Sequence, residues 1–241
     1  MRYGLIADVH SNIEALNAVL AALESERCDQ IVCLGDIIGY GANPKECLEK
    51  IRSRGMLTVA GNHDLAAVGR FDLASFNSAE RDAILFSIAH LDPSDFEFLG
   101  SLPLVRELED FVMVHASPKR PESFDDVFTV TQAEEVFADT NQAVTFIGHS
   151  HVPLVFFQDP GITDYSFAGE VYLKRQRKII FNCGSVGQPC DGDPNACYVV
   201  FDTNMAKMRL TRVPYDVDTA AKKILEAQLP PILAERLFKG Y

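Results

Sequence analysis

Five short polar clusters, each directly following an apolar run, constrain this chain more than its composition does. They are ADVH at residues 7–10, GD at 35–36, GNHD at 61–64, VHAS at 114–117 and GHSH at 148–151. The runs RYGLIAD, QIVCLGD, MLTVAGNHD, FVMVHAS and AVTFIGHSH read as strands that end in these clusters. Behind the first, Ile13, Leu16, Val19, Leu20 and Leu23 recur at helical spacing, with Ser11 read as the cap and Glu14 completing a capping box. NPKECLEKIRSR reads as a second helix, capped by Asn43 with Pro44 at its first position. Strand, helix and strand in alternation predict parallel pairing and an α/β layered core. In such sheets ligands bind beyond the carboxyl ends of the strands, where all five clusters fall.

The clusters hold Asp, His and Asn and no Cys. That donor set suits divalent Mn, Fe, Zn, Co or Ni rather than a structural thiolate site. Asp8, His10, Asp36, Asn62, His115, His149 and His151 exceed what one four-coordinate ion needs and predict two ions sharing a bridge. Alternate residues of an extended segment share a face, so Asp8 with His10, and His149 with His151 on a neighbouring strand, are expected to grip one ion. Asp36, on the strand between, is placed to bridge. Two such ions about 3.5–4 Å apart clamp an in-line displacement at phosphorus and acidify a shared water. Taken singly, any of these histidines reads as well as a packed core imidazole. His90, outside every cluster, keeps that reading.

Residues 64–101 contain AERDAILFSIAHL and DPSDFEFLGSL and are expected to form a helical insertion. After residue 153 the pattern turns β-rich, through PLVFFQ, VYLKR, KIIFNCGS, ACYVVFD and MRLTRVPY, and residues 215–239 return to helix. The whole chain, 1–241, reads as one domain, and 47% hydrophobic content suffices for one large core. A net charge of −12 argues against non-specific nucleic-acid binding. The start has no signal-peptide pattern and no stretch has the length of a membrane span. The six cysteines form no C-x-x-C pair and read as free thiols, so the expected location is cytoplasmic.

In this order, D-x-H, GD, GNHD, a lone strand histidine and GHSH resemble the motif set of the calcineurin-like metallophosphoesterase superfamily. NCGSVGQP at 182–189 resembles a further loop of that family. The length and GYGANP are similar to the small prokaryotic phosphoesterases related to diadenosine tetraphosphatase. The resemblance implies a four-layer α/β/β/α sandwich. It also implies a dinuclear metal-dependent phosphoesterase, in which a bridging hydroxide attacks a phosphodiester, pyrophosphate or phosphomonoester in line. Residue by residue, it implies Asp8, His10 and His151 at one ion, Asn62, His115 and His149 at the other, and Asp36 between them.

The same resemblance implies catalytic roles for His63 as proton donor, Asn62 as a holder of phosphoryl oxygen, and Asp64 as a hydrogen-bonding support for His63. Gly61 is expected to serve a tight turn. Asn182, Ser185 and Tyr40 are candidate substrate contacts, with Tyr40 equally readable as a packed side chain. Cys183 stands where relatives often have Pro, and Cys190 where a basic residue is common, which bears on the grip on phosphate. The implied partner is a small phosphorylated substrate, with nucleotides and dinucleoside polyphosphates in range; no membrane partner is expected, and the acidic charge makes long nucleic acid a less favoured one. The alternative is a catalytically weak metal-binding scaffold acting through protein contacts. Such a scaffold has no need of seven ligands and a His63–Asp64 pair.

Overall fold

Apolar side chains alternate between two separate cores along the central strands, and that alternation defines the layers. In the computed structural model, which describes residues 1–167 and 169–241, strands β1 (Arg2–Ile6) and β2 (Gln30–Cys33) flank helix α1 (Ile13–Glu26) in sequence. Helix α2 (Pro44–Ser53) leads to β3 (Leu57–Thr58), and β1, β2 and β3 pair in parallel as expected. Helices α3 (Asn62–Ala67), α4 (Ser78–His90) and α5 (Pro93–Ser101) follow, in the segment read as an insertion. The chain then forms β4 (Val105–Glu107), β5 (Val112–Val114), α6 (Val130–Asp139) and β6 (Val144–Ile147). Six more strands complete the sheets: β7 (Leu154–Asp159), β8 (Ile162–Phe167), β9 (Glu170–Tyr172), β10 (Lys178–Asn182), β11 (Ala196–Asp202) and β12 (Lys207–Val213). Helices α7 (Val217–Glu226) and α8 (Pro231–Lys239) end the chain.

The first sheet has the order β3-β2-β1-β11-β12-β9 and the second β4-β5-β6-β10-β7-β8. Leu5, Val199 and Phe201 of the first sheet meet Val144, Phe146, Ile179 and Phe181 of the second in a shared core. The alternate residues Ile6, Tyr198 and Val200 turn outward to α1 and α2, while Ile147 and Ile180 turn outward to α6. This is the four-layer α/β/β/α sandwich. Parallel pairing is confined to β1-β2-β3 and β5-β6-β10. Among the described residues after 153 no helix intervenes between strands, so neighbours there pair antiparallel. Among the described residues no helix is long and apolar enough to cross a membrane.

Three local expectations are corrected. The cap of α1 is Asn12, whose Oδ1 accepts from the Ala15 N–H at 3.1 Å. Ser11 has φ 54° and cannot serve, and Glu14 pairs with Lys223 instead of completing a capping box. The third strand is only two residues long and stops before GNHD, whose Asn62 begins α3. Asp64 makes the short helix possible by accepting the Gly61 N–H at 3.1 Å. Helix α6 and strands β4 and β8 gave no clear pattern. Helix α6 buries only Ala133, Val136 and Phe137, and most of β8 faces outward.

Candidate metal centre

The loops after β1, β2 and β3 meet those after β5, β6 and β10 at one end of the two-sheet seam. Asp8, His10 and Asp36 come from the first sheet, and His115, His149 and His151 from the second. His149 and His151 therefore do not reach Asp8 from a neighbouring strand of its own sheet, as the extended reading had it. Nor are the paired residues extended. Asp8, His10, His149 and His151 have φ of 55°, 48°, 67° and 58°, and Asp36 and Tyr40 are left-handed too, at 52° each. The turns, not the pleat of a strand, aim these side chains.

Backbone groups hold the turns in place. The His149 N–H donates to both Asp8 carboxylate oxygens, at 3.2 and 3.1 Å, which ties the two sheets together at the site. The His63 N–H donates to Asp36 Oδ1 at 2.9 Å. A Cβ on Gly61 would lie 2.0 Å from that same Oδ1, so close approach and not a tight turn demands glycine there; its φ is −94°. Asp64 makes no hydrogen bond to His63. Its oxygens accept from Ile37 at 2.9 Å, Ile38 at 3.4 Å and Gly61 at 3.1 Å, so it braces the loop that carries Asp36 against the start of α3.

The ring nitrogens test whether the site fits a cation. Nδ1 of His10, His115 and His151 lies at 3.0, 2.6 and 2.6 Å from the carbonyls of Ile38, Leu34 and Gln188. A carbonyl only accepts, so each Nδ1 carries hydrogen and each Nε2 is left to ligate. Three sets of ligand atoms lie within 4.8 Å of one another: Asp8, His10 and His151; Asp36, His115 and His149; and His10, Asp36 and His63. His115 Nε2 and Asn62 Oδ1 are buried without a hydrogen-bond partner. Unpartnered ring and amide atoms converging on two buried carboxylates suit divalent cations, which would take the place of protons there. Asp36 Oδ2 lies 3.6 Å from His10 Nε2 and 3.3 Å from His115 Nε2, between the first two sets.

Charge follows the same geometry. Burial, with the His63 and His151 rings nearby, drives His10 well below the ordinary imidazole range. Burial opposes the charged form of His115 as well, yet Asp36 and Asp8 raise it to about 9. Asp8 likewise outweighs burial at His151 and holds it well above its usual value. Burial and the His115 charge bring His149 down to about 4. Asp64, buried beside Asp36, is pushed up to about 7.

Above these residues opens a cleft of about 430 Å³ lined by Asp36, Asn62, His63, His149 and His151, with Tyr40 and Cys190 at its side. Tyr40 does line it, packed edge-on to His10 at 4.4 Å with its hydroxyl donating to Glu80 at 2.9 Å. Asn182 and Ser185 do not. Asn182 is spent on the Gly148 carbonyl and Ser150, and Ser185 on the Asp8 carbonyl and the Gln188 N–H; both are buried. They buttress the turns. Cys183 is buried away from the cleft, whereas Cys190 Sγ lies 3.6 Å from His151 Nδ1 and 3.4 Å from Arg236. His90 bonds its own helix at the Phe86 carbonyl, apart from the site.

Asp126, Glu80 and four phenylalanines of the cleft went unread in the sequence. Asp126 lies 3.7 Å from His149 Nε2. No strand-end motif marks these residues, because they sit in the helical segment 64–101 and in the irregular stretch after β5.

Comparison with known proteins agrees with the geometry. The calcineurin-like phosphoesterase superfamily domain matches residues 1–206. An uncharacterized protein of Methanocaldococcus jannaschii is 41% identical over 98% of this chain and 97% of its own. The crystal structure of a metallophosphoesterase from Sphaerobacter thermophilus is 35% identical, with a TM-score of 0.89 over 100% of this chain and 99% of that one. A hypothetical protein of Pyrococcus horikoshii OT3, 18% identical, shares the fold over 100% of this chain and 98% of its own at a TM-score of 0.82. The ligand-bearing turns lie within the matched region, and the chain belongs to the calcineurin-like phosphoesterase superfamily, as a phosphoric ester hydrolase.

Proposed function

We propose that the protein is a dinuclear metal-dependent phosphoesterase that cleaves a small phosphorylated substrate by in-line displacement. The observation that carries this reading is the pairing of two ligand sets, Asp8–His10–His151 and Asp36–His115–His149, with Asp36 within 3.6 Å of a ring nitrogen in each. Asn62, with its unpartnered Oδ1, joins the second set. When bound, a pair of divalent ions supplies an acidified water and offsets charge on the phosphoryl oxygens.

The residues of the chain do the rest. Asp36 draws both sets together, and Leu34, Ile38 and Gln188 fix the histidine tautomers through their carbonyls. His63 lines the cleft with its Nε2 3.9 Å from Asp36 and is assigned to protonate the leaving oxygen. Asp64 supports it indirectly, through the Gly61 N–H at the start of α3. The test combines elemental analysis after reconstitution with Mn, Fe, Co, Ni or Zn and hydrolysis of aryl phosphodiesters and monoesters. Two ions per chain with turnover are expected. Fewer ions and no turnover with any metal would favour a scaffold of the same fold.

A further inference from the structure

The cleft has an aromatic wall that the chemistry above does not use. Phe76 packs edge-on against His63 at 4.8 Å, Phe71 against Phe76 at 5.7 Å and Phe124 against Phe71 at 5.2 Å. Phe124 then reaches His149 at 6.2 Å. The arc therefore runs from the proposed proton donor to a proposed metal ligand. Its parts come from two segments distant in sequence, the helical segment 64–101 and the stretch after β5. Phe76 and Phe124 are nearly buried, whereas Phe128, which also lines the cleft, is 45% exposed, a large apolar surface left uncovered. Phe124 sits at φ 53°, a conformation that a bulky side chain adopts only where its surroundings impose it.

The same cleft offers no long cationic side chain to a run of phosphates. No Lys or Arg is among its described lining residues, while Glu80 and Asp126 both line it. Arg236 lies behind Tyr40, 5.4 Å from that ring, and its guanidinium is held by the Tyr241 carbonyl and Cys190. Lys119 and Arg120, beyond Asp126, are paired with Glu135 and Asp125 at 2.8 and 2.7 Å. Phosphates beyond those that the ions hold would face carboxylates, and like charges in a half-enclosed cleft repel.

Resting on the phosphoesterase reading, we propose that this cleft selects an ester with a single phosphoryl group and a flat, apolar substituent seated on the phenylalanine arc, and that it disfavours chains of phosphates. A planar π-face stacks on phenylalanine whether it is an aryl ring or a nucleobase.

Four substrates separate the possibilities. Bis(4-nitrophenyl) phosphate and methyl 4-nitrophenyl phosphate share a leaving group; because the bis-aryl ester is also intrinsically more reactive, each rate is divided by that of the ester's own hydroxide hydrolysis before the flat and non-flat second substituents are compared. Thymidine 5′-(4-nitrophenyl phosphate) presents a nucleobase, and a dinucleoside tetraphosphate presents the phosphate chain. With metal-loaded protein, the kcat/KM so normalised for the bis-aryl ester should exceed that for the methyl ester by about tenfold or more, the stacking contribution of one ring. The thymidine ester reads whether a nucleobase takes the same seat. Phe128→Ala, at an exposed position, should shrink the aryl-to-methyl ratio several-fold. Phe128→Lys should raise the tetraphosphate rate relative to the bis-aryl ester.

Calorimetry of phenylphosphonate and methylphosphonate gives a readout without turnover, and the affinity ratio should fall in Phe128→Ala. A ratio near one in both assays, or faster tetraphosphate cleavage in the native protein, overturns the selection proposal and leaves the phosphoesterase reading intact. Absence of turnover on every ester with every metal overturns both.

Discussion

His10 and His151 point their Nε2 atoms at one another across 3.0 Å, and each has its Nδ1 engaged by a backbone carbonyl. Two imidazole lone pairs cannot face each other at that distance with nothing between them. Either a proton lies between them or one metal ion binds both from the side. Asp8 holds His151 well above the ordinary imidazole range and burial holds His10 well below it, so in the metal-free protein the proton belongs to His151.

Metal uptake should therefore release protons. His115, raised to about 9, and His151 are protonated at neutral pH without metal, whereas His149, at about 4, is already neutral. A raised value means that the competing proton is bound below it, so metal affinity should fall as pH drops below about 9. The expected slope is about tenfold per pH unit for each proton displaced. Calorimetric affinities between pH 6 and 9 would measure it, and His115→Gln should remove one proton from the slope. A flat profile would place the metal elsewhere.

Metal should also stabilise the fold, because its ligands come from both sheets. Free metal at about a hundred times its Kd adds about 2.7 kcal/mol, and in a chain of this size each kcal/mol moves Tm by about 2–4 °C. A rise of roughly 5–10 °C is expected on reconstitution, reversed by a chelator. His151→Ala should lose one ion per chain and most of that rise.

His63 can be probed without removing it. A Cβ on Gly39, at φ 94°, would lie 2.4 Å from His63 Nδ1, so Gly39→Ala must displace that ring. Both Gly39→Ala and His63→Ala should keep two ions per chain. Both should lower kcat by about 10²–10⁴-fold on esters with poor leaving groups and far less on nitrophenyl esters, the signature of a lost proton donor. Loss of metal in His63→Ala would make His63 a ligand, as its membership of the His10–Asp36 set allows.

The helical segment 64–101 is fastened by a buried carboxylate. Asp95 on α5 is fully buried and pairs with Lys45 and Arg52 of α2 at 2.8 and 3.1 Å. Either partner's loss leaves the other, and both cations keep about a third of their surface in solvent. Lys45→Met with Arg52→Met strands the carboxylate and should cost about 3–5 kcal/mol in urea denaturation, more than the single changes summed.

The site was legible in the sequence because its donors are rare residue types placed directly after apolar runs. Asp8, His10, Asp36, His115, His149 and His151 all meet in space. Left-handed turns on two sheets, not alternation along one strand, bring them together. Strand alternation cannot reveal that Asp8 and His149 belong to different sheets, since that depends on which strands pair across long separations. Asp64 and Asn182 were misplaced for a related reason: a polar side chain beside a site is as often used by backbone N–H groups as by substrate, and only coordinates distinguish the two. The phenylalanine wall left no local signal, because Phe71 and Phe124 become neighbours only through tertiary folding.

The left-handed turns at Asp8, His10, Asp36, Tyr40, His149 and His151 have a price that is present even with no ligand bound. Each non-glycine residue held there costs about 1–3 kcal/mol, and the carboxylates and imidazoles they aim would be better solvated apart. Selection for stability alone, in metal-free conditions, would replace these residues with glycine or asparagine and erode the turns first. A thermostability screen on this scaffold should thus be run with metal present. Without it, the most stable clones recovered would be those that had forgotten the chemistry.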